Sequence, residues 1–511
     1  HGFPLALNLA ASLSLETNTS VAELDLSARE LEPILDRLLR DAPEDEHRRA
    51  LWASALVERI DRELLSVMVF GTEACRQQQV DELFTWLASR SFMRRVGSSL
   101  RPHAVVREIL HADVLRRGGE VRRQMIASAR SKLVARSLTC SSERAEQFFV
   151  ELTFLHRDEP GTVEYNSGDI DDTFGAGAHQ LYIDRVRPDE YGRIDDVLLE
   201  YEGPTSVEIA RRWREEYPQK LYGCRDAEGR LAGFVQYLDS VDLDSEARAF
   251  DPAIATLSKY LSGSRELREQ EKARIARFWM AMDRYQGPGP VQLRLWGHLT
   301  AQLAMDRTRQ IGCAVHAWPE RWLRRPDTNH EDLGRFGYDD VPYIILGTDF
   351  RRHDLQKWME RVFENLATDP GHSKTCLDLP RADVLDRKTF ESGIEEALDD
   401  FHDSAKLTDS PLINCRLVVE RLHEESVNSQ QRTRALRHLL RDAIDDIRAD
   451  LVDGGMHPQL LSYTYLEPSE KRYEAAHHLG VAFGTYRRHL QQAVDMLVEH
   501  LWERELQHAT Y

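Results

Sequence analysis

The stretch Lys220-Leu-Tyr-Gly-Cys-Arg-Asp-Ala-Glu-Gly-Arg-Leu-Ala-Gly-Phe-Val-Gln-Tyr-Leu238 decides the fold of the central part of the chain. Its two apolar runs are separated by the polar segment Asp226 to Gly229, which is typical of a tight turn between antiparallel strands. We therefore predict a β-hairpin here. Further short strands are predicted at Val291 to Trp296, Ala314 to Trp318 and Tyr343 to Leu346. Because helical stretches separate these strands, residues 161–365 are predicted to form a mixed α/β domain.

The sequence before this domain has a helical apolar periodicity. Leu31, Ile34, Leu35, Leu38 and Leu39 recur at spacings of three and four, which predicts amphipathic helices. Ser91 to Arg101 then predicts a strand, a Gly-Ser turn and a second strand. Helices followed by a hairpin suggest a winged helix. Two more helices are predicted, at Arg123 to Thr139 and Glu143 to His156.

The fold class that follows is a multidomain, mainly α chain with one α/β domain. The predicted divisions are the end of a preceding module at 1–25, a winged-helix domain at 26–120, a helical linker at 121–160, the α/β domain at 161–365, a second helical linker at 366–440 and a C-terminal helix-turn-helix domain at 441–511. This number of domains suits 511 residues, of which 41% are hydrophobic.

Charge and cysteine content restrict the class of protein. The formal net charge of −19 argues against a polybasic coat, so any contact with DNA must come from a small local surface. The six cysteines form no C-x-x-C motif, which is typical of reduced thiols in the cytoplasm. No run approaches eighteen apolar residues, so no membrane partner is predicted.

The C-terminal stretch from Lys471 to Leu497 predicts two helices joined by a turn that contains Gly480. Ala476 is the small residue where the helices cross, and Tyr486 and Leu490 anchor the second helix. The pattern resembles the fourth region of sigma factors. It implies a double-stranded DNA partner, contacted by Thr485, Arg487, Arg488, His489 and Gln491. The alternative is a protein-interaction module, which the nearby acids Glu467, Glu470, Glu474 and Asp495 favour.

Two other segments resemble the STAND class of nucleotide-controlled regulators. His1-Gly2-Phe3-Pro4 is similar to the Gly-x-Pro segment that follows the nucleotide-binding core of that class, and Pro102-His103-Ala104 is similar to its Met-His-Asp segment. The resemblance implies that Gly2, Pro4 and His103 contribute to an ATP or ADP site. The sequence contains no phosphate loop, so this site is expected to require an NTPase module upstream of His1.

The hairpin Leu221 to Leu238 looks like the central hairpin of GNAT acyltransferases. In that family a Q/R-x-x-G-x-G/A loop at a helix N-terminus binds the pyrophosphate of acyl-CoA. Arg294-Leu-Trp-Gly297-His298-Leu299 is the nearest match, which implies acetyl-CoA contacts by Arg294 and Gly297. Leu299 replaces the last small residue of the motif, so the domain is expected to be degenerate. An active enzyme would need a base such as Glu320 or Asp339.

The leading hypothesis is a cytoplasmic signalling or transcription regulator, controlled by nucleotide and binding DNA through its C-terminus, with homo-oligomer formation on activation. No catalytic residue and no metal ligand is predicted for it. Two alternatives stay open. The chain could be an acyl-CoA-dependent acetyltransferase of the GNAT type, or an adaptor that binds proteins without catalysis.

Overall fold

The computed structural model describes residues 42–71, 77–159, 181–262, 266–287, 289–306, 310–323, 330–366, 382–422, 429–450, 456–466 and 482–507. They belong to two compact units, one before residue 175 and one from residue 175 onward. The chain is mainly helical, with one seven-stranded mixed sheet in the second unit and a two-stranded sheet in the first. The predicted fold class, mainly α with one α/β domain, is confirmed at this level.

The first unit consists of helices around a short hairpin. Its elements are α1 (Asp45–Leu56), α2 (Arg62–Phe70), α3 (Gln77–Ala88), β1 (Met93–Val96), β2 (Ser99–Pro102), α4 (Ala104–Arg117), α5 (Gly119–Thr139) and α6 (Ser142–Leu155). The hairpin turns at Gly97, whose φ of 60° is readily adopted by glycine. The predicted hairpin at Ser91 to Arg101 and the two predicted helices after it are confirmed.

Buried polar contacts tie α1 to the later helices of this unit. The Trp52 indole donates a hydrogen bond to Asp113 of α4 at 2.9 Å. Arg157, directly after α6, donates to the carbonyl oxygens of Leu56 and Ala55 at 3.1 and 3.2 Å. Ala55 and Leu56 are the last two residues of α1, and their carbonyls have no partner within the helix. Arg157 therefore caps the C-terminus of α1.

The sheet of the second unit has the strand order β3-β4-β5-β6-β7-β9-β8. The strands are β3 (Tyr182–Arg185), β4 (Leu221–Arg225), β5 (Leu231–Asp239), β6 (Lys272–Ala281), β7 (Gln310–Ala317), β8 (Glu331–Tyr338) and β9 (Val341–Asp349). Neighbouring strands are antiparallel except for β6 and β7, which are parallel. The predicted hairpin is β4–β5, and the runs at Ala314 and Tyr343 lie in β7 and β9.

Helices cover both faces of this sheet. One face packs against α7 (Tyr191–Tyr201), α8 (Pro204–Glu216), α9 (Ser245–Phe250) and α10 (Pro252–Tyr260). The other packs against α11 (Pro290–Met305) through Val291, Leu295 and Leu299. The remaining helix near the sheet is α12 (Pro319–Leu323). The sheet is thus the middle layer of a three-layer α/β/α arrangement.

The described residues after the sheet are mainly helical. Its helices are α13 (Leu355–Leu366), α14 (Arg387–Asp399), α15 (Ser404–Thr408), α16 (Arg416–Val419), α17 (Ser429–Asp450), α18 (Met456–Leu461), which continues as one π-helical turn to Leu466, and α19 (Phe483–Leu506). From α14 onward they share one apolar core, to which α19 contributes Tyr486, Leu490 and Leu497. Among the described residues, no helix combines the length and apolarity that crossing a bilayer requires.

The prediction of a strand at Val291 to Trp296 is wrong, because these residues belong to α11. Val291, Leu295 and Leu299 recur every fourth residue and so line one helical face, and Pro290 occupies the first helical position, which it favours. Three strands, β3, β6 and β8, were not predicted. The predicted domain boundary near residue 160 falls outside the described residues.

Candidate functional site

Backbone strain is concentrated at one edge of the seven-stranded sheet. Among the described residues, Gln270, Tyr285, Trp318, Asp339 and Asp340 have positive φ without being glycine. All but Gln270 follow the C-terminal ends of β6 and β7 or form the turn between β8 and β9. We call this edge, made of Met282 to Gly287, Gly289, Trp318 and the turn at Asp339 and Asp340, the divergent edge. Strained residues cluster at functional sites, which makes this edge the candidate site.

The parallel strands β6 and β7 separate as they approach this edge. They pair from Lys272 with Gln310 to Ala276 with Ala314, but β6 continues to Ala281 and β7 to Ala317. The pairing of β6 with β5 shifts by one residue at Arg277, which bulges the strand. Beyond Ala276 and Ala314, the backbone groups that face the gap need partners other than the opposite strand.

Two side chains of the chain itself supply these partners. The Gln286 amide donates to the carbonyl oxygens of Val315 at 3.1 Å and Trp279 at 3.5 Å, and its oxygen accepts from the Ala317 N–H at 3.2 Å. The Trp279 indole also donates to the Val315 carbonyl, at 2.8 Å. Gln286 is 4% exposed and Trp279 is fully buried. Gln286 therefore bridges the two strands across the gap.

A buried carboxylate holds the loop after β6 in place. Glu202, between α7 and α8, accepts hydrogen bonds from Tyr285 at 2.8 Å, Ser206 at 2.7 Å and Tyr343 at 3.3 Å. Burial raises the pKa of Glu202, and the hydrogen bond from Ser206 opposes that rise. Burial and the neighbouring Glu202 raise the pKa of Tyr285 well above its ordinary value, so this phenol stays a neutral donor.

A second buried group supports the bulge in β6. Arg277 is 1% exposed and donates to Asp251 at 2.8 Å and to the Tyr338 hydroxyl at 2.9 Å. Burial would lower the pKa of Arg277, but Asp251 outweighs it and raises that pKa, so the guanidinium is charged. Tyr338 also shares a hydrogen bond of 2.7 Å with Ser206. The network thus links the bulge to the carboxylate site of Glu202.

The loop between β6 and α11 brings a cationic side chain to a helix N-terminus. A Cβ on Gly289 would lie 3.6 Å from Cδ and 3.7 Å from Nη1 of Arg284, so the guanidinium flanks the residue that precedes α11. The Gln292 amide donates to the Tyr285 carbonyl and holds the loop against the first turn of the helix. N–H groups at a helix N-terminus and an adjacent guanidinium attract anions such as phosphate.

The predicted acyl-CoA residues Arg294 and Gly297 do not form a phosphate loop. Both are buried inside α11, where backbone N–H groups bond to carbonyls of the preceding turn and are not available to an anion. Of the two candidate bases, Asp339 accepts from the Thr205 N–H at 2.7 Å and its hydroxyl at 2.8 Å, which joins the β8–β9 turn to the first turn of α8. Glu320 is exposed on α12.

The predicted DNA-contacting residues all lie on α19. Arg487, Arg488 and Gln491 are exposed, whereas Thr485 and His489 are partly buried. Gln491 donates to Asp495 at 3.1 Å, one turn further along the same face. The preceding helix of the predicted helix-turn-helix, with Ala476 and Gly480, lies outside the described residues.

The predicted nucleotide residues are only partly described. Gly2 and Pro4 lie outside the described residues. His103 is partly buried at the N-cap of α4, where its N–H donates to the Phe92 carbonyl at 2.8 Å and its side chain makes no cap hydrogen bond. The described ranges contain no group of three or more His, Cys, Asp or Glu side chains arranged to hold a metal ion.

Sequence reasoning missed the residues that build the divergent edge. Arg284-Tyr-Gln-Gly287-Pro-Gly289 carries the spacing R-x-x-G-x-G, and this signal was visible in the sequence. It was missed because Val291 to Trp296 was predicted to be a strand, so no helix was expected to begin directly after Gly289. Glu202 and Gln286 had no sequence signal, since their partners are brought to them by the fold.

Comparison of the chain with protein-family models, characterised proteins and solved structures gave no match.

Proposed function

We propose that the α/β domain binds acyl-CoA through the loop Arg284 to Gly289. This loop has the Q/R-x-x-G-x-G/A spacing of GNAT acyltransferases, and it directly precedes the N-terminus of α11. The position of the loop is the observation that carries the proposal, because helix N–H groups and the Arg284 guanidinium would both contact the phosphates. It replaces Arg294 and Gly297 as the expected binding segment.

The sheet supports a GNAT-like assignment of this domain. The antiparallel hairpin β4–β5 is followed by β6, whose parallel partner β7 diverges from it at the end where the loop begins. A diverging parallel pair leaves strand edges that an extended ligand could extend by hydrogen bonding. The domain therefore offers an anion site and a strand edge in one place.

The two ends of an acyl-CoA molecule differ in how well they fit. The phosphates fit the loop at Arg284 and Gly289, whereas the gap that would take the amide-containing arm is filled by Gln286 and Trp279. When bound, acyl-CoA would bring a thioester, but Glu202 is buried beneath three donors and no base is assigned to act on an acceptor. The proposal is therefore for binding and includes no transfer step.

Titration calorimetry of the full chain with acetyl-CoA tests this function. Arg284→Ala should weaken binding by at least about tenfold, because a charge-assisted hydrogen bond is removed. Arg335→Ala is the matched control, since this arginine is exposed on β8 and pairs only with Asp332 among the described contacts. No binding by the wild type at millimolar acetyl-CoA, or equal affinities for the wild type and Arg284→Ala, would refute the proposal.

A second candidate function is DNA binding by α19, as part of a nucleotide-controlled regulator. It is favoured by the exposure of Arg487 and Arg488 on a helix whose opposite face is anchored by Tyr486 and Leu490. The order of three helices and a hairpin in the first unit supports a winged-helix assignment, as this class of regulator would need. Control by ATP or ADP through His103 stays a prediction.

Gel-shift titrations of duplex DNA at several salt concentrations test this second function. Arg487→Ala should weaken binding and reduce the slope of log affinity against log salt by about one, because one phosphate contact is lost. Arg504→Ala, near the other end of the same helix, pairs with Asp446 at 2.8 Å and should leave the slope unchanged. Equal slopes for the wild type and Arg487→Ala would contradict DNA contact at this position.

A further inference from the structure

Gln286 satisfies the same backbone groups that a bound secondary amide would satisfy. Its carboxamide donates to one β7 carbonyl, at Val315, and accepts from one β7 N–H, at Ala317. A secondary amide in an extended ligand carries the same pair of groups, one N–H and one C=O. The side chain and such a ligand therefore compete for one position between the strands.

The hydrogen bonds of Gln286 suit an exchangeable contact. The two bonds to β7, at 3.1 and 3.2 Å, lie at the long end of the normal range, and the contact of 3.5 Å with the Trp279 carbonyl exceeds it. If Gln286 leaves, the Val315 carbonyl keeps the Trp279 indole as a donor. The Ala317 N–H and the Trp279 carbonyl then lose this partner, and the C=O and N–H of an incoming secondary amide can replace it.

Gln286 lies between a strained residue and a glycine. Tyr285 is held at a φ of 53°, an unfavourable angle for an aromatic residue, by its hydrogen bond to Glu202. Gly287 follows Gln286 directly and lacks the Cβ that limits backbone rotation. Glycine at that position allows the carboxamide to rotate out while Tyr285 stays anchored.

We propose that the Gln286 side chain occupies the position of a ligand amide in the free protein. It closes the gap between β6 and β7 until an extended secondary amide displaces it. This inference rests on the proposed acyl-CoA function and adds its regulation. Binding takes place in two steps. The phosphates first bind at Arg284 and Gly289, and the amide arm then replaces Gln286 in the gap. Ligands without such an arm bind at the loop alone.

Two ligands distinguish binding at the loop from binding in the gap. Acetyl-CoA carries phosphates and an amide arm, whereas adenosine 3′,5′-diphosphate carries phosphates without the arm. In calorimetric titrations of the full chain, Gln286→Ala should raise acetyl-CoA affinity about tenfold, since a competitor worth about one neutral hydrogen bond is removed. Its affinity for the diphosphate should change by less than about twofold on the same reasoning, because that ligand never meets Gln286.

Two further variants test whether the change in affinity is specific to Gln286 and does not arise whenever a buried side chain is altered. Gln310→Ala removes a fully buried glutamine from the opposite end of β7, where its amide donates to the Leu303 carbonyl at 2.9 Å, and should change neither affinity. Gln286→Met keeps the volume of the side chain but removes its hydrogen bonds, so acetyl-CoA affinity should rise, though by less than for Gln286→Ala. Circular dichroism of each variant checks that the fold is retained.

The outcomes distinguish the two proposals. If wild type binds both ligands but Gln286→Ala shows no selective gain for acetyl-CoA, the displacement of Gln286 is refuted and the proposed function stands. If Gln286→Met gains as much affinity for the diphosphate as for acetyl-CoA, the gain does not come from the gap, and displacement is again refuted. If neither ligand binds to any variant, both proposals fail.

Discussion

Replacing Glu151 by glutamine should change how the stability of the first unit depends on pH. Glu151 lies on α6, where Gln147 donates to it at 3.3 Å and to Glu58 at 3.4 Å. Burial, reinforced by the neighbouring Glu58, raises the pKa of Glu151 to about 7 from its ordinary value of 4.5. The protonated form is therefore favoured in the folded state.

The sign and size of the effect follow from linkage. Between pH 4.5 and about 7 the unfolded chain has lost the Glu151 proton and the folded chain has kept it, so stability falls as pH rises through this window. At 1.36 kcal/mol per pKa unit, the full loss above pH 7 is about 3 kcal/mol. Glutamine resembles the neutral acid, so Glu151→Gln should stabilise the unit by about 3 kcal/mol at pH 8 and by less than about 1 kcal/mol at pH 5.

Hydrogen exchange of α6 peptides, corrected for intrinsic rates, measures this difference as a free energy of opening. Glu120→Gln is the control, because this carboxylate is exposed on α5 and its hydrogen bond with Arg123 lowers its pKa. The control should show the same protection as wild type at both pH values. The reasoning is refuted if wild type and Glu151→Gln lose protection in parallel between pH 5 and pH 8.

Three further substitutions test the packing around the site and the C-terminal helices. Asp251→Asn leaves Arg277 buried without its carboxylate, so urea denaturation should show a loss of about 3–5 kcal/mol, against less than about 1 kcal/mol for Asp332→Asn in the exposed pair with Arg335. Gly233→Ala places a Cβ 2.4 Å from Val291 and should cost about 1–3 kcal/mol, whereas Gly192→Ala, with open space around it on α7, should be neutral or stabilising; equal thermal shifts would contradict this. Glu505→Gln weakens the acceptor for the Arg416 and Leu417 N–H groups, so proteolysis near α16 should accelerate; an unchanged rate would show that these hydrogen bonds do not hold the helix.

The parts of the fold that were predictable are those whose pattern is local. The β4–β5 hairpin consists of two apolar runs around a polar turn, and both strands of the β1–β2 hairpin are bounded by turn residues. β6 was not recognised because the bulge at Arg277 interrupts its alternation and buries a charged residue. The run from Val291 was ambiguous, since a short apolar stretch suits a buried strand and a buried helix face equally.

The candidate site was less predictable, because its contacts join distant parts of the chain. Glu202 accepts from Tyr285 and Tyr343, which lie 83 and 141 residues further on. Nothing local marks Glu202 as a buried acceptor, and charged residues are seldom buried without such partners. The loop from Arg284 to Gly289 differs, because its spacing is local and correct placement of α11 alone would have identified it.

The single parallel pairing in the sheet has a consequence for the order of assembly. In the backbone of the sheet, the antiparallel sets β3–β6 and β7–β9 meet through five residue pairs between β6 and β7, with α11 in the crossover. The β4–β5 and β8–β9 hairpins close loops of five and two residues, whereas 28 residues separate β6 from β7, so we expect both hairpins to form before the joint closes. The divergent edge would then be ordered after the hairpins. A ligand bound there would slow unfolding and leave the folding rate almost unchanged.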